Sequence, residues 1–183
     1  MRWVELELTS ETKVEGRSMK LSIPEMIALL LYAPGQTGKI GEEIRGKTKL
    51  MKLVFLLAKE EDLEKTLTEP TVFQPYKYGP FDARIYDAVE ALKELGIVEE
   101  KAPPRINRLL DEDVDEAYDV DTVFRLTPKG ISRVENLVKD VPHDIFRRIS
   151  NIKTIHGSKP LVELLHYVYQ RYPSFAVLSE ANI

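Results

Sequence analysis

Apolar residues recur along the chain at spacings that predict a mainly helical domain. Ser22 stands at a capping position with Pro24 and Glu25 in the turn that follows, and Met26, Ile27, Leu29, Leu30 and Leu31 make a largely buried first helix. Ala33-Pro34-Gly35 closes it. Over 47–60, Leu50, Leu53, Val54, Leu57 and Ala58 follow the 3.6-residue period of a second helix whose other face carries lysines. Residues 73–80 hold too much proline and aromatic side chain for a helix interior, and their proline stands at a natural helix start. In the third helix Phe81, Ile85, Ala88, Leu92 and Leu95 form one apolar stripe, ended by Gly96. Residues 97–101 and 122–126 read as strands on either side of a long polar loop, the arrangement of a wing. Thr127 and Pro128 start a fourth helix, with Ile131, Val134, Leu137 and Val138 on its inner face, and two more helices follow over about 142–153 and 160–172. Near the start, Trp3, Leu6 and Leu8 alternate with Glu5 and Glu7 as in a short strand.

The predicted fold is α+β and mainly α: a winged helix-turn-helix with a two-stranded wing and extra C-terminal helices. An N-terminal arm spans 1–21 and the winged-helix core 22–140. A C-terminal helical extension over 141–183 is expected to pack on the same domain. A chain of 183 residues suits one such core. Its 43% hydrophobic and 31% charged residues match ordinary globular composition, and no apolar run reaches a membrane span. The charged first residues lack the apolar stretch of a secretory signal, so a cytoplasmic protein is expected. With no cysteine, disulfides, thiolate metal sites and a cysteine nucleophile are excluded.

Three helices, a wing and then Phe124-Arg125-Leu126-Thr127-Pro128-Lys129-Gly130 resemble the winged helix-turn-helix of bacterial and archaeal regulators. Two further segments narrow the resemblance. Lys49-Leu50-Met51-Lys52-Leu53-Val54-Phe55-Leu56, followed by Tyr76-Lys77-Tyr78-Gly79-Pro80-Phe81, is similar to the pattern of the Panacea (SocA-like antitoxin) domains and of YwgA-like winged-helix proteins. The Tyr-Gly-Pro element is the more distinctive half, and Leu165-His166-Tyr167-Val168-Tyr169-Gln170-Arg171-Tyr172-Pro173 also resembles the YwgA-like group. This resemblance implies regulation or protein sequestration and brings no catalytic residues.

Several motifs match a chemistry only in part. Residues 41–48 satisfy the phosphate-loop expression G-x-x-x-x-G-K-[ST], but no apolar strand precedes them, and Glu42 and Glu43 would set carboxylates beside the phosphates. Asp111, Asp113 and Asp115 open like a calcium loop, yet Glu116 and Thr122 occupy the places of its glycine and glutamate. His143, His156 and His166 are too far apart in sequence for two to share one turn of a helix. No Gly-x-Ser-x-Gly elbow exists to activate a serine. The expectation is therefore no enzyme, no cofactor and no metal.

Charge clusters carry more. Arg45, Lys47, Lys49 and Lys52 gather where the second helix begins, a place the helix dipole makes unfavourable for cations and favourable for phosphate. Arg105 and Arg108 add positive charge to the first half of the wing, and Arg147, Arg148, Lys153 and Lys159 form another cluster. Arg45, Lys47, Lys49, Lys52, Arg105 and Arg108, with Arg84 as a reader of guanine, are expected to form a double-stranded DNA interface of a transcriptional regulator. Against it, the third helix, which usually enters the major groove, sets Asp82, Asp87, Glu90 and Glu94 against only Arg84 and Lys93. The distal wing is acidic from Asp111 to Asp121. The competing reading is a protein-interaction module that uses Asp87, Glu90 and Glu94 with Tyr76 and Tyr78 as aromatic anchors. Tyr167, Tyr169 and Tyr172 on the last helix are candidates for a homodimer contact.

Overall fold

A computed structural model describes residues 19–102 and 121–181. Its elements run α1 (Ile23–Tyr32), β1 (Ile44–Arg45), α2 (Lys47–Lys59), β2 (Gln74–Tyr76), β3 (Gly79–Phe81), α3 (Ala83–Glu94), β4 (Val98–Lys101), β5 (Val123–Leu126), α4 (Pro128–Asp140), α5 (His143–His156) and α6 (Leu161–Arg171). Short 3₁₀ turns lie at Leu63–Thr66 and Pro173–Phe175. The architecture is α+β and mainly helical, with two small antiparallel sheets. The predicted arm over 1–18 and the loop over 103–120 fall outside the described residues.

Ser22 caps α1 with a reciprocal pair: Glu25 N–H donates to the Ser22 hydroxyl, and Ser22 N–H donates to the Glu25 carboxylate at 2.7 Å. Thr127 caps α4 on one side only, its hydroxyl accepting from Gly130 N–H at 2.9 Å, with Pro128 in the first turn. Asp82 caps α3, so that helix begins two residues later than Phe81, which belongs to β3. The segment predicted only as irregular over 73–80 is a hairpin. Tyr76 pairs with Gly79, and Gly79 takes a φ of 86°, which glycine adopts without strain.

The sequence pattern missed β1. Ile44 and Arg45 pair antiparallel with Phe124 and Val123, so β4 and β5 belong to a three-stranded sheet in the order β1-β5-β4. Two residues are too few for a periodic signal. The phosphate-loop expression thus falls on an extended strand and a helix start, and Glu42 itself occupies nearby backbone donors.

The larger difference lies in α2. From Leu50 to Ala58 every residue is buried, Lys52 included. Of the lysines on that helix, Lys52 is covered by the β2–β3 hairpin, while Lys47 and Lys49 stay partly exposed and Lys59 exposed; α5 and α6 also pack against α2. Among the described residues no helix is long and apolar enough to cross a membrane.

Candidate functional site

The basic residues proposed to contact phosphate divide in two. Arg45 projects from β1 with its side chain 59% exposed, 3.1 Å from Glu43. Lys47 lies 3.3 Å from Glu100. Half-buried Lys49 donates to the Gly157 carbonyl at 3.3 Å, and burial, followed by repulsion from Arg45, lowers its pKa. Arg45, Gly46, Lys49 and Leu161 line a cavity of about 110 Å³ at the start of α2, whose first turn has no side-chain cap and no acid. Lys52 departs from this group. It is only 2% exposed and reaches no surface phosphate in this conformation, because the one turn that separates it from Lys49 carries it under the β2–β3 hairpin.

Arg84 is not presented for base reading either. Its guanidinium grips the Asp82 carboxylate at 2.6 Å and donates to the Pro70 carbonyl at 3.0 Å. Hydrogen bonding to Asp82 raises the Arg84 pKa. Burial would raise the Asp82 carboxyl, but hydrogen bonds from Arg84 and Val72 hold it below its ordinary value. Lys93, near the other end of α3, bridges Glu90 and Glu100, and Glu100 also meets Lys47. Nine helical residues separate Arg84 from Lys93, roughly 13 Å of rise, so Arg84 lies well away from the cations at the start of α2. Arg105 and Arg108 fall outside the described residues.

Of the second basic cluster, Lys153 is buried, Arg148 donates to the Glu61 carbonyl at 2.9 Å, and Lys159 lies over the Tyr167 ring at 5.2 Å. Among the described residues no three His, Asp or Glu side chains converge as metal ligands.

α3 faces outward with acids. Asp87, Glu90 and Glu94 are exposed at spacings of three and four, one surface of the helix, with Ala91 between them. Glu90 has Lys93 as a counter-charge, whereas Asp87 and Glu94 have no ion-pair partner among the described residues. Near the start of α3 the aromatic cluster splits. Tyr76 is 43% exposed, Tyr78 is half-buried, and Phe81 packs between Tyr76 at 4.9 Å and Tyr86 at 5.6 Å.

The hairpin is held from both sides. From α2, the Lys52 ammonium nitrogen donates to the Pro80 carbonyl at 2.9 Å. From the C-terminal side, Tyr169 lies so near Gly79 that a Cβ there would come within 2.8 Å of its ring. Glu180 N–H donates to the Lys77 carbonyl at 2.7 Å. The Tyr-Gly-Pro element is therefore a packing joint between α2 and α6. The clue to Lys52 in the sequence is that it is the one polar residue in the run 50–58.

Two buried lysines now stand in contrast. Burial drives both Lys52 and Lys153 down, to about 7. Lys153, however, donates to the carbonyls of Leu31 at 2.8 Å, Ala33 at 2.8 Å and Glu42 at 2.6 Å. Three acceptors are served in full only by –NH₃⁺, and the Glu42 charge opposes the effect of burial. The acceptors thus favour the charged form of Lys153 more than that of Lys52, which has one.

His156 is also buried, against Tyr167, and its Nδ1 has no hydrogen-bond partner among the described residues. Burial, and then Lys159, lowers its pKa, while Glu60 opposes them. Because the folded value lies below the unfolded one, the unfolded chain binds the proton more readily, and stability falls as pH drops below about 6.5. The denaturation midpoint is expected to decrease between about pH 6.5 and 5, and His156→Phe to flatten that slope in urea titrations.

No protein-family model matches the chain, and no curated protein gives a significant match.

Proposed function

We propose that this chain is a non-enzymatic winged-helix binding module whose outward α3 face docks a basic surface of a partner protein. The order α1-β1-α2-α3-β4-β5 with sheet order β1-β5-β4 supports the winged-helix reading, the β2–β3 hairpin being inserted before α3. One observation carries the choice of partner. The helix in the position of a recognition helix presents Asp87, Glu90 and Glu94, and its one arginine is locked onto Asp82. Such a face repels phosphate and complements lysines and arginines. Tyr76, beside the start of that helix, supplies an exposed aromatic at the rim.

The test is the triple reversal Asp87→Lys, Glu90→Lys, Glu94→Lys. Affinity for a co-purifying partner identified by mass spectrometry should fall at least about tenfold by surface plasmon resonance, the equivalent of 1.4 kcal/mol. Unchanged affinity would remove α3 from the interface.

A second reading, a DNA-associated regulator, is favoured by the convergence of Arg45, Lys47 and Lys49 at an uncapped helix start beside a cavity. It requires binding to random duplex at low salt, weakened by Arg45→Glu and by added salt. The α3 reading requires neither.

A further inference from the structure

Arg45 and Lys49 meet at a cavity whose size and lining suit one small ligand. About 110 Å³ in volume, it is lined by Arg45, Gly46, Lys49 and Leu161, where β1 passes into α2 and α6 begins. Space on that scale holds several waters and so admits a phosphate group. Two of the lining side chains are cationic, and no carboxylate lines the cavity among the described residues. Lys49 is half-buried beside Arg45, and like charges drawn together out of bulk water repel. An anion between them turns that repulsion into attraction.

Both side chains keep donors to spare. Arg45 gives one guanidinium nitrogen to Glu43 in an exposed pair of little strength, and its other N–H groups make no hydrogen bond among the described residues. Lys49 gives one of three ammonium hydrogens to the Gly157 carbonyl, at a long 3.3 Å. Glu42, close by in sequence, does not compete for them. Its carboxylate is engaged by the N–H groups of Gly35, Thr37 and Lys39 at 2.9, 3.2 and 3.2 Å.

We propose that this cavity binds the phosphate group of a small phosphate monoester. Phosphate suits it better than carboxylate, because the dianion matches two cations and its oxygens can accept from the Arg45 fork and the Lys49 ammonium at once. Leu161 gives one apolar wall, against which the carbon part of an ester can lie. A single recess takes one phosphate. The spaced phosphates of a duplex call for a row of cations, and here Lys47 is paired with Glu100 and Lys52 is buried. Reversing the three acids of α3 changes none of the lining residues, so this site and the docking role of α3 fail separately.

The experiment is an NMR titration of backbone amides in the intact protein at about pH 7.5, where a phosphate monoester is mostly a dianion, and at constant ionic strength. Inorganic phosphate, phenyl phosphate, acetate and a random DNA duplex are the separate probes. The amides of Gly46 and Lys49 are expected to shift saturably with phosphate, with a Kd of about 1–10 mM, and phenyl phosphate to bind at least as tightly. Acetate should bind at least about fivefold more weakly. Arg45→Gln and Lys49→Gln should each weaken phosphate at least about fivefold, through loss of a charge-assisted hydrogen bond, while Lys139→Gln on the exposed face of α4 leaves it unchanged. The Arg45 side chain is exposed, so its variant tests the site even if Lys49→Gln fails to fold. No saturable shift at these amides, acetate binding equal to phosphate, exclusion of phenyl phosphate, or unchanged phosphate affinity in Arg45→Gln overturns the proposal. So does movement of these signals by the duplex alone.

Discussion

Lys153→Met is expected to lower the unfolding free energy by about 3–5 kcal/mol, against about 1–3 kcal/mol for Lys52→Met. Both substitutions exchange a buried amine for a similar unbranched side chain, so loss of packing is comparable. The difference lies in what remains. Removing the Lys153 nitrogen strands the carbonyls of Leu31, Ala33 and Glu42, which end α1 and begin and close the loop before β1. Buried carbonyls without donors cost about 1–3 kcal/mol each, reduced where the loop relaxes to admit water. Removing Lys52 strands only the Pro80 carbonyl. Urea denaturation of the three proteins checks this; a chain of this size should also lose roughly 10 °C in Tm with Lys153→Met. Equal effects at the two positions would show that the count of acceptors does not govern their roles.

Gly130→Ala is expected to cost about 3 kcal/mol, although alanine is intrinsically the better helix former by about 1 kcal/mol. A Cβ at Gly130 would lie 2.1 Å from the Ile97 carbonyl oxygen and 3.0 Å from its carbon. Backbone stands in the way, so no side-chain rotation relieves the contact. α4 would have to withdraw from the start of β4, where Thr127 N–H bonds the Ile97 carbonyl at 3.0 Å and the Thr127 hydroxyl bonds the Gly96 carbonyl at 2.7 Å. Gly38→Ala is the comparison, with a φ of 74° but nothing within 4 Å of the added carbon, for a cost of about 1 kcal/mol. The sign decides the matter. A Gly130→Ala variant more stable than wild type by thermal melting would mean that α4 and β4 do not approach this closely.

What the sequence made legible was local. The Ser22 cap, the Thr127-Pro128 start, the apolar stripe of α3 and the strands β4 and β5 each rest on residues close together in the sequence. β1 was invisible because a strand of two residues is defined by its partner, 78 to 80 residues further on, and not by its own pattern. The basic cluster was misjudged at Lys52 for a related reason. Counting charges along α2 assumed one solvated face, but the β2–β3 hairpin, backed by Tyr169 of α6, closes over Lys52. Arg84 shows the same limit on a smaller scale. Its charge was evident, while its engagement with Asp82 and Pro70 depends on how the turn before α3 is built. The acidic face of α3 was legible in full, since exposure at Asp87, Glu90 and Glu94 follows from the buried stripe opposite.

The covering of α2 also fixes an order of events during synthesis. Residues 50–58 are made early, yet the helices that bury one side of them end at Arg171, and the hairpin is latched at Lys77 by the backbone of Glu180. A ribosome must therefore add more than a hundred residues after Lys52 before that apolar surface is closed. Until then the nascent chain carries an unprotected flank, slow to fold because its contacts are distant and open to chaperones that bind exposed apolar segments.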